Sequence, residues 1–316
     1  MKTMVVVPNW DGEDLLAECL DSLLAQTIKT KIVVVDNGSN DNSIKIIEDK
    51  YPTVHLIKLP YNTGFAGGVN VGIKYALAND ADAVALFNND AVANKNWLKE
   101  LVDTLQSDPK IGIATCKLLH TDKTHFDSTG DFYYIWGLPV PRGRDKLDTG
   151  QYNMPEFVFS ASGGASLYSC CMLRKIGIFD ERFFAYYEDV DIGFRAQLAG
   201  WLVSYNPESE AYHRISATSS KLGLFARYHA TKNFYILYIK NMPGWLFWKY
   251  LPWFAVRAAR MFVSALIRRR FWVQLKAMFK VIVLLPSILA DRHRIQKSRT
   301  VSTKYIDSML YKKEVV

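Results

Sequence analysis

MVVVPNWDGEDLLAECLDSLLAQTIKTKIVVVDNGSNDNS, residues 4–43, reads as strand, helix and strand. Met4 to Pro8 is a short apolar run, the mark of a buried strand. Leu15, Leu16, Cys19, Leu20, Leu23 and Leu24 recur at helical spacing, and Ile32 to Val35 is a second apolar run ending in Asp36-Asn37-Gly38-Ser39. The alternation continues outward. Ile44 to Lys50 reads as a helix, Val54 to Leu59 as a strand, Val69 to Ala78 as a helix and Ala83 to Phe87 as a strand. Strands alternating with helices predict a parallel sheet covered on both faces. Such sheets bind ligands beyond the carboxyl ends of their strands. Pro8-Asn9, Asp36-Asn37-Gly38 and Asn88-Asn89-Asp90 all fall there.

Length and composition set the limits. The 316 residues are 49% hydrophobic and 13% aromatic, enough for one large domain plus an appendage. The net charge of +8 is unevenly spread. From Ile215 onward 19 Lys and Arg stand against 3 Asp and Glu, and the preceding residues hold 20 against 28. Cys19, Cys116, Cys170 and Cys171 lack metal-ligand spacing, which suits a reducing compartment. MKTMVVVPNW has no signal-peptide architecture. Thr121 to Pro155, rich in Gly, Pro, Asp and aromatics, reads as a loop or irregular hairpin.

The second informative stretch is GIFDERFFAYYEDVDIGFRAQLAGW, residues 177–201. Asp180, Glu181, Glu188, Asp189 and Asp191 sit among Phe179, Phe183, Phe184, Tyr186, Tyr187 and Phe194. Carboxylates among aromatics are costly unless paired, metal-bound or needed as a base. Glu188-Asp189 can supply a general base, or it can form a buried ion pair with Arg182 or Arg195. Five carboxylates against two arginines leave an excess.

The other motifs each admit a plain reading. Asp36 can accept a hydrogen bond from a base edge or cap its own turn. The glycines of Tyr61 to Asn70 can bring backbone amides to a phosphate or merely make a turn. Their spacing fits neither the dinucleotide fingerprint nor the P-loop. Asp90 can ligate a hard cation such as Mg²⁺ or can cap a helix. His213, past a candidate strand Leu202 to Tyr205 and Pro207, gains a role only if the fold brings it to Asp90.

In the basic tail, Arg257, Arg260, Ser264 and Arg268 make a polar stripe on an apolar helix, Lys276 and Lys280 repeat it, and Trp245, Trp248, Trp253 and Trp272 flank it. That is the composition of an interfacial amphipathic helix rather than of a nucleic-acid patch. No stretch reaches about 20 charge-free apolar residues, so a peripheral rather than spanning association is expected.

Together and in this order the motifs resemble the inverting glycosyltransferases of family 2, in the rhamnosyltransferase-like branch of bacterial cell-surface polysaccharide synthesis. The resemblance rests on VVVDNGSNDNS (33–43), YNTGFAGGVNVG (61–72), FNND (87–90), GGASLYSCCMLRKIGIFDERFFAYYEDVDIGFRAQLAGW (163–201) and Tyr212-His213. It implies a GT-A type nucleotide-diphospho-sugar transferase fold over residues 1–241, with a donor half 1–118, an acceptor half 119–241 and a membrane-associating helical tail 242–316. By the same resemblance Asp189 is the catalytic base, and Asp90 and His213 ligate Mg²⁺ or Mn²⁺. Pro8, Asn9, Asp36, Asn37, Asn62, Gly67, Asn88 and Asn89 would contact the donor, with Asp36 on the nucleobase. Tyr187, Glu188 and Gly164 would contact the acceptor. The partners implied are a dTDP- or UDP-linked sugar, best dTDP-rhamnose, and a polyprenyl-diphosphate-linked saccharide at the cytoplasmic face of the plasma membrane. A homo-oligomer stays open. Asn88 stands where many relatives carry the first Asp of an Asp-x-Asp metal motif. Two rivals differ in class. A sugar-phosphate nucleotidyltransferase needs a basic Gly-rich signature that Met4 to Asp14 lacks. A non-catalytic membrane scaffold would hydrolyse no sugar nucleotide.

Overall fold

A computed structural model describes residues 1–214 and 223–313. The first half runs β1 (Thr3–Asn9), α1 (Leu16–Leu24), β2 (Lys31–Asp36), α2 (Ser43–Lys50), β3 (His55–Lys58), α3 (Gly64–Ala78), β4 (Ala83–Phe87), β5 (Ala91–Ala93), α4 (Trp97–Ser107) and β6 (Ile111–His120). Short strands β7 (Phe126–Ser128), β8 (Asp131–Tyr133), β9 (Pro139–Pro141) and β10 (Glu156–Phe157) follow. Then come β11 (Ala165–Ser169), α5 (Cys170–Ile176), α6 (Glu188–Leu198) and β12 (Leu202–His213). The last helices are α7 (Gly223–Asn241), α8 (Gly244–Ile267), α9 (Phe271–Lys297) and α10 (Thr303–Met309).

One mixed sheet organises the body, in the order β10-β12-β6-β11-β4-β1-β2-β3, with β5 on β12 and β7 on β6. The run β4-β1-β2-β3 is parallel, as the alternation predicts, while β11 lies antiparallel between β4 and β6. Strand interiors such as Val5, Val6, Val33, Val34, Ala85 and Leu86 are wholly buried because helices cover both faces.

Two boundaries depart from expectation. Helix α3 starts at Gly64 rather than Val69, so the glycines pack within a helix. Gly72 is required there, because a Cβ would come within 2.3 Å of Val6 Cγ1 on β1. Strand β12 does not stop before Pro207. It passes through a register shift between Asn206 and Glu210, which absorbs the missing proline N–H, and resumes beside β6 and β5.

The core does not break at Asn241. Tyr133, Phe183, Val190, Phe194 and Leu198 of the body share one apolar cluster with Phe234, Leu246, Phe254, Ile288 and Ile306 of the last helices. A buried ionic network crosses the same junction. Lys240 Nζ donates to Asp180 at 2.6 Å and to Asp191 at 2.9 Å, and Arg195 Nε donates to Asp191 at 2.8 Å. Asp191 is 0% exposed. Burial opposes its charged form, but Lys240 and Arg195 outweigh that and hold its carboxyl below the usual range. Removing one partner of such a set leaves an uncompensated buried charge, at a cost of about 3–5 kcal/mol. Lys240→Met is therefore expected to lower the thermal midpoint by many degrees in detergent solution. A midpoint within a degree of wild type would show that the network contributes nothing.

Helices α8 and α9, of 24 and 27 residues, are each long and apolar enough to cross a membrane. That holds by length and mean hydropathy alone, and Arg257, Arg260, Lys276 and Lys280 still interrupt the two helices. Arg260 lies over the Trp136 ring at 5.5 Å, and Arg257 sits beside Tyr187. Trp248, Val263, Ile267, Trp272, Phe279 and Ile282 remain exposed.

Candidate active site

A cleft of about 830 Å³ opens at the carboxyl ends of the parallel strands. On one side stand Pro8 and Asn9 from the end of β1, Asn37 after β2, Asn62 before α3, and Asn88, Asn89 and Asp90 after β4. On the other stand Gly163 and Gly164 before β11, Tyr187 before α6, Glu188 and Asp189 in its first turn, and His213 at the end of β12.

An asparagine lattice holds the first of these sides. Asn37 Oδ1 accepts from the Thr63 N–H at 2.8 Å, and its Nδ2 donates to Gly64 O at 2.9 Å. Asn89 Nδ2 donates to Asn9 Oδ1 at 2.8 Å, and Asn9 Nδ2 donates to Asp36 at 3.1 Å. Two expected donor contacts stand off the cleft. Asp36 is 0% exposed and spends its carboxylate on Asn9 and on the Ser39 N–H of its own turn. Gly67 lies in the first turn of α3 against Thr63.

Asp90 precedes β5, so it caps no helix. The pairing of β12 sets His213 opposite Ala91, and this register carries the imidazole to Asp90, with Nε2 3.0 Å from Oδ1. Nδ1 lies 2.7 Å from Asp127 of β7, which also pairs with Arg144. Burial disfavours the charged imidazole, but hydrogen bonds to Asp127 and Asp90 outweigh it and raise His213 to about 10. A divalent cation bound between Asp90 and His213 would displace the Nε2 proton, and one carboxylate, one imidazole and a carboxylate behind the imidazole then suit it. Among the described residues no third acidic, His or Cys side chain completes a metal-binding group, so phosphate oxygens or water must fill the other positions.

The five carboxylates of residues 177–201 divide by partner. Asp180 and Asp191 belong to the ionic network, and Glu181 meets Asn70 and Lys74. Glu188 and Asp189 have no arginine partner among the described residues and face the cleft. Burial first, then the Asp189 charge, pushes Glu188 well up, and its Oε2 lacks a hydrogen-bond partner among the described residues. Asp189 Oδ2 accepts the Gly163 N–H at 3.1 Å, and Oδ1 accepts the Val190 N–H at 2.8 Å. Burial raises its pKa while those two amides partly offset the rise.

The loop before α6 is bent hard. Phe184, Tyr186 and Tyr187 all adopt φ near +70°, a region costly for bulky residues. Asn233 of α7 compensates by donating to the carbonyls of Phe183, Ala185 and Tyr186. Gly64 also lets the loop approach, since a Cβ there would lie 2.4 Å from Phe184 O.

Asp131 escaped the sequence reading. It lines the cleft from β8 and accepts from Ser160 Oγ at 2.8 Å. Burial first and the Asp189 charge second push it up to about 7. Its segment carries no periodicity, so nothing in the sequence set it or Asp127 apart from other loop acids.

Asparagines, one candidate metal pair and one free carboxylate pair thus surround one cleft in a GT-A type body, the architecture of a glycosyltransferase. The family description "Glycosyl transferase family 2" matches residues 4–177, and the chain belongs to that family. The N-acetylglucosaminyl-diphospho-decaprenol L-rhamnosyltransferase of Mycobacterium tuberculosis is 27% identical over 84% of this chain and 94% of its own length. The dTDP-rhamnosyl transferase RfbF of Shigella flexneri is 28% identical over 66% of this chain and 71% of its own. Among solved structures, S. aureus TarS 1-349 in complex with UDP aligns over 100% of this chain and 94% of its own, with TM-score 0.57 and 19% identity. The Pyrobaculum calidifontis mannosyltransferase in complex with GDP-Man and Mn²⁺ aligns over 94% and 87%, with TM-score 0.55 and 14% identity.

Proposed function

We propose that this glycosyltransferase moves L-rhamnose, with inversion, from dTDP-rhamnose to a lipid-linked saccharide in cell-surface polysaccharide synthesis. The observation that carries the reading is the placement of Asp189 in the same cleft as Asp90 and His213. The two rhamnosyltransferase relatives support the sugar, and the diphospho-decaprenol named in one supports the acceptor.

Asp189 takes the proton from an acceptor hydroxyl as that oxygen bonds to the anomeric carbon. The carbon–oxygen bond to the nucleoside diphosphate breaks on the opposite face, so one displacement inverts the configuration. Gly163 and Val190 N–H groups hold the Asp189 carboxylate in place, and Glu188 offers its unpartnered oxygen to the acceptor. Asp90 and His213 would hold Mg²⁺ or Mn²⁺, which when bound offsets negative charge on the leaving diphosphate. Asp127 fixes the imidazole from behind. The exposed apolar faces of α8 and α9 would seat the enzyme peripherally on the cytoplasmic leaflet.

The test is a thermal-shift series with dTDP-rhamnose, UDP-glucose and UDP-galactose, with and without Mn²⁺. A ligand at a hundred times its Kd adds about 2.7 kcal/mol to folded-state stability. dTDP-rhamnose should shift the midpoint most, and only with metal. A larger shift with a UDP-hexose would reassign the sugar. No shift with any of the three would overturn the transferase reading.

A further inference from the structure

Beside the cleft lies a cationic patch that this chemistry leaves unused. Phe225, near the start of α7, lines the cleft and meets Phe184 edge-on at 5.4 Å. Arg227 follows two residues later. Helices α7 and α9 pack side by side in parallel, since Lys232 lies near Lys280, Arg292 donates to Ile239 O and Gln296 donates to Asn241 O. Parallel packing brings the start of α7 to the turn between α8 and α9, which reads Arg268-Arg269-Arg270. Burial, then the charges of Arg270 and Arg268, hold the Arg227 guanidinium below its usual value.

Among the described residues these arginines have no carboxylate partner. The carboxylate-paired arginines are Arg142, Arg144, Arg182, Arg195, Arg214 and Arg294. Like charges gathered without a counter-ion repel, and an anion relieves the cost. Guanidinium groups bind phosphate oxygens in bidentate fashion. The patch is also apolar at its edge, where Ile267 is 76% and Trp272 73% exposed. A soluble phosphate would not call for those side chains, and a bare anionic surface would not call for the patch to abut the cleft.

We propose that Arg227, Arg268 and Arg270 bind the diphosphate of the lipid-linked acceptor, with Ile267 and Trp272 against its hydrocarbon chain. The attached sugar would then pass Phe225 to reach Asp189. This inference rests on the transferase reading and adds to it the place where the acceptor's anionic link is held.

The test uses the full chain and neutral phosphatidylcholine vesicles doped with polyprenyl diphosphate, with polyprenol, or with phosphatidylglycerol at matched charge. Wild type should co-sediment best with the diphosphate vesicles. The variant R227A/R268A/R270A should lose at least about tenfold in that affinity, or 1.4 kcal/mol, while keeping its nucleoside-diphosphate affinity. Arg268→Glu, on an exposed turn, should weaken binding in the same direction without burdening folding. Wild-type binding by either variant to the diphosphate vesicles would overturn the proposal. So would equal binding of the wild type to the phosphatidylglycerol vesicles. Loss of nucleotide-sugar binding by the wild type would instead count against the transferase reading and leave a diphosphate-lipid preference standing.

Discussion

Asp189→Asn is expected to lower kcat for sugar transfer by about 10²–10⁴-fold while donor affinity stays within about twofold. At 1.36 kcal/mol per factor of ten, that is about 3–5 kcal/mol of barrier. The amide can still accept from the Val190 or Gly163 N–H, so geometry is largely kept and only proton acceptance is lost. A loss under tenfold would remove Asp189 from the role of base. The pH profile gives a second readout. Burial raises the Asp189 pKa above the ordinary carboxylate value, and the base works only when ionised. Activity should therefore be full above that raised pKa and fall as pH drops through it. The nearby Asp131 itself titrates higher, at about 7, so it is already neutral where Asp189 takes up its proton, and Asp131→Asn should leave the acid limb in place. A limb moved to lower pH would show instead that Asp131 is ionised alongside Asp189 and raises its pKa.

The sheet was readable because β1, β2 and β4 are buried on both faces and so appear as unbroken apolar runs. The convergence of Asn9, Asn37 and Asp90 followed from that, since parallel strands end on one side. Three things were less visible. Asp127 and Asp131 lie on strands of three residues each, too short to show a period. Pro207 read as a strand end, yet the bulge carries β12 on to His213. The tail's arginines read as the polar stripe of an amphipathic helix, but the spacing did not show that Arg260 lies over the Trp136 ring. Sequence spacing gives the side of a helix but not what packs against it. The carboxylate cluster shows the same limit. Five acids in one stretch look alike, and only the packing of Lys240 and Arg195 separates the structural Asp180 and Asp191 from the free Glu188 and Asp189.

Asp90→Ala should act in opposite directions with and without metal. With Mn²⁺ present, nucleoside-diphosphate affinity by calorimetry is expected to fall at least about 10–100-fold, the range known for lost support of a metal ligand. With a chelator present, the same substitution should improve affinity. The reason is electrostatic: with no cation between them, a carboxylate near a diphosphate repels it. His213→Ala should weaken the metal-dependent binding less, because Asp90 carries the formal charge. Asp127→Asn keeps a hydrogen-bond partner for Nδ1 but removes the charge behind the ring, and should cost less again. A purely structural Asp90 would change affinity by the same factor in both conditions, since a displaced loop does not sense the cation. Equal affinity of wild type and Asp90→Ala with Mn²⁺ present would exclude the metal assignment. Only a group that meets the diphosphate through a cation predicts the reversal of sign.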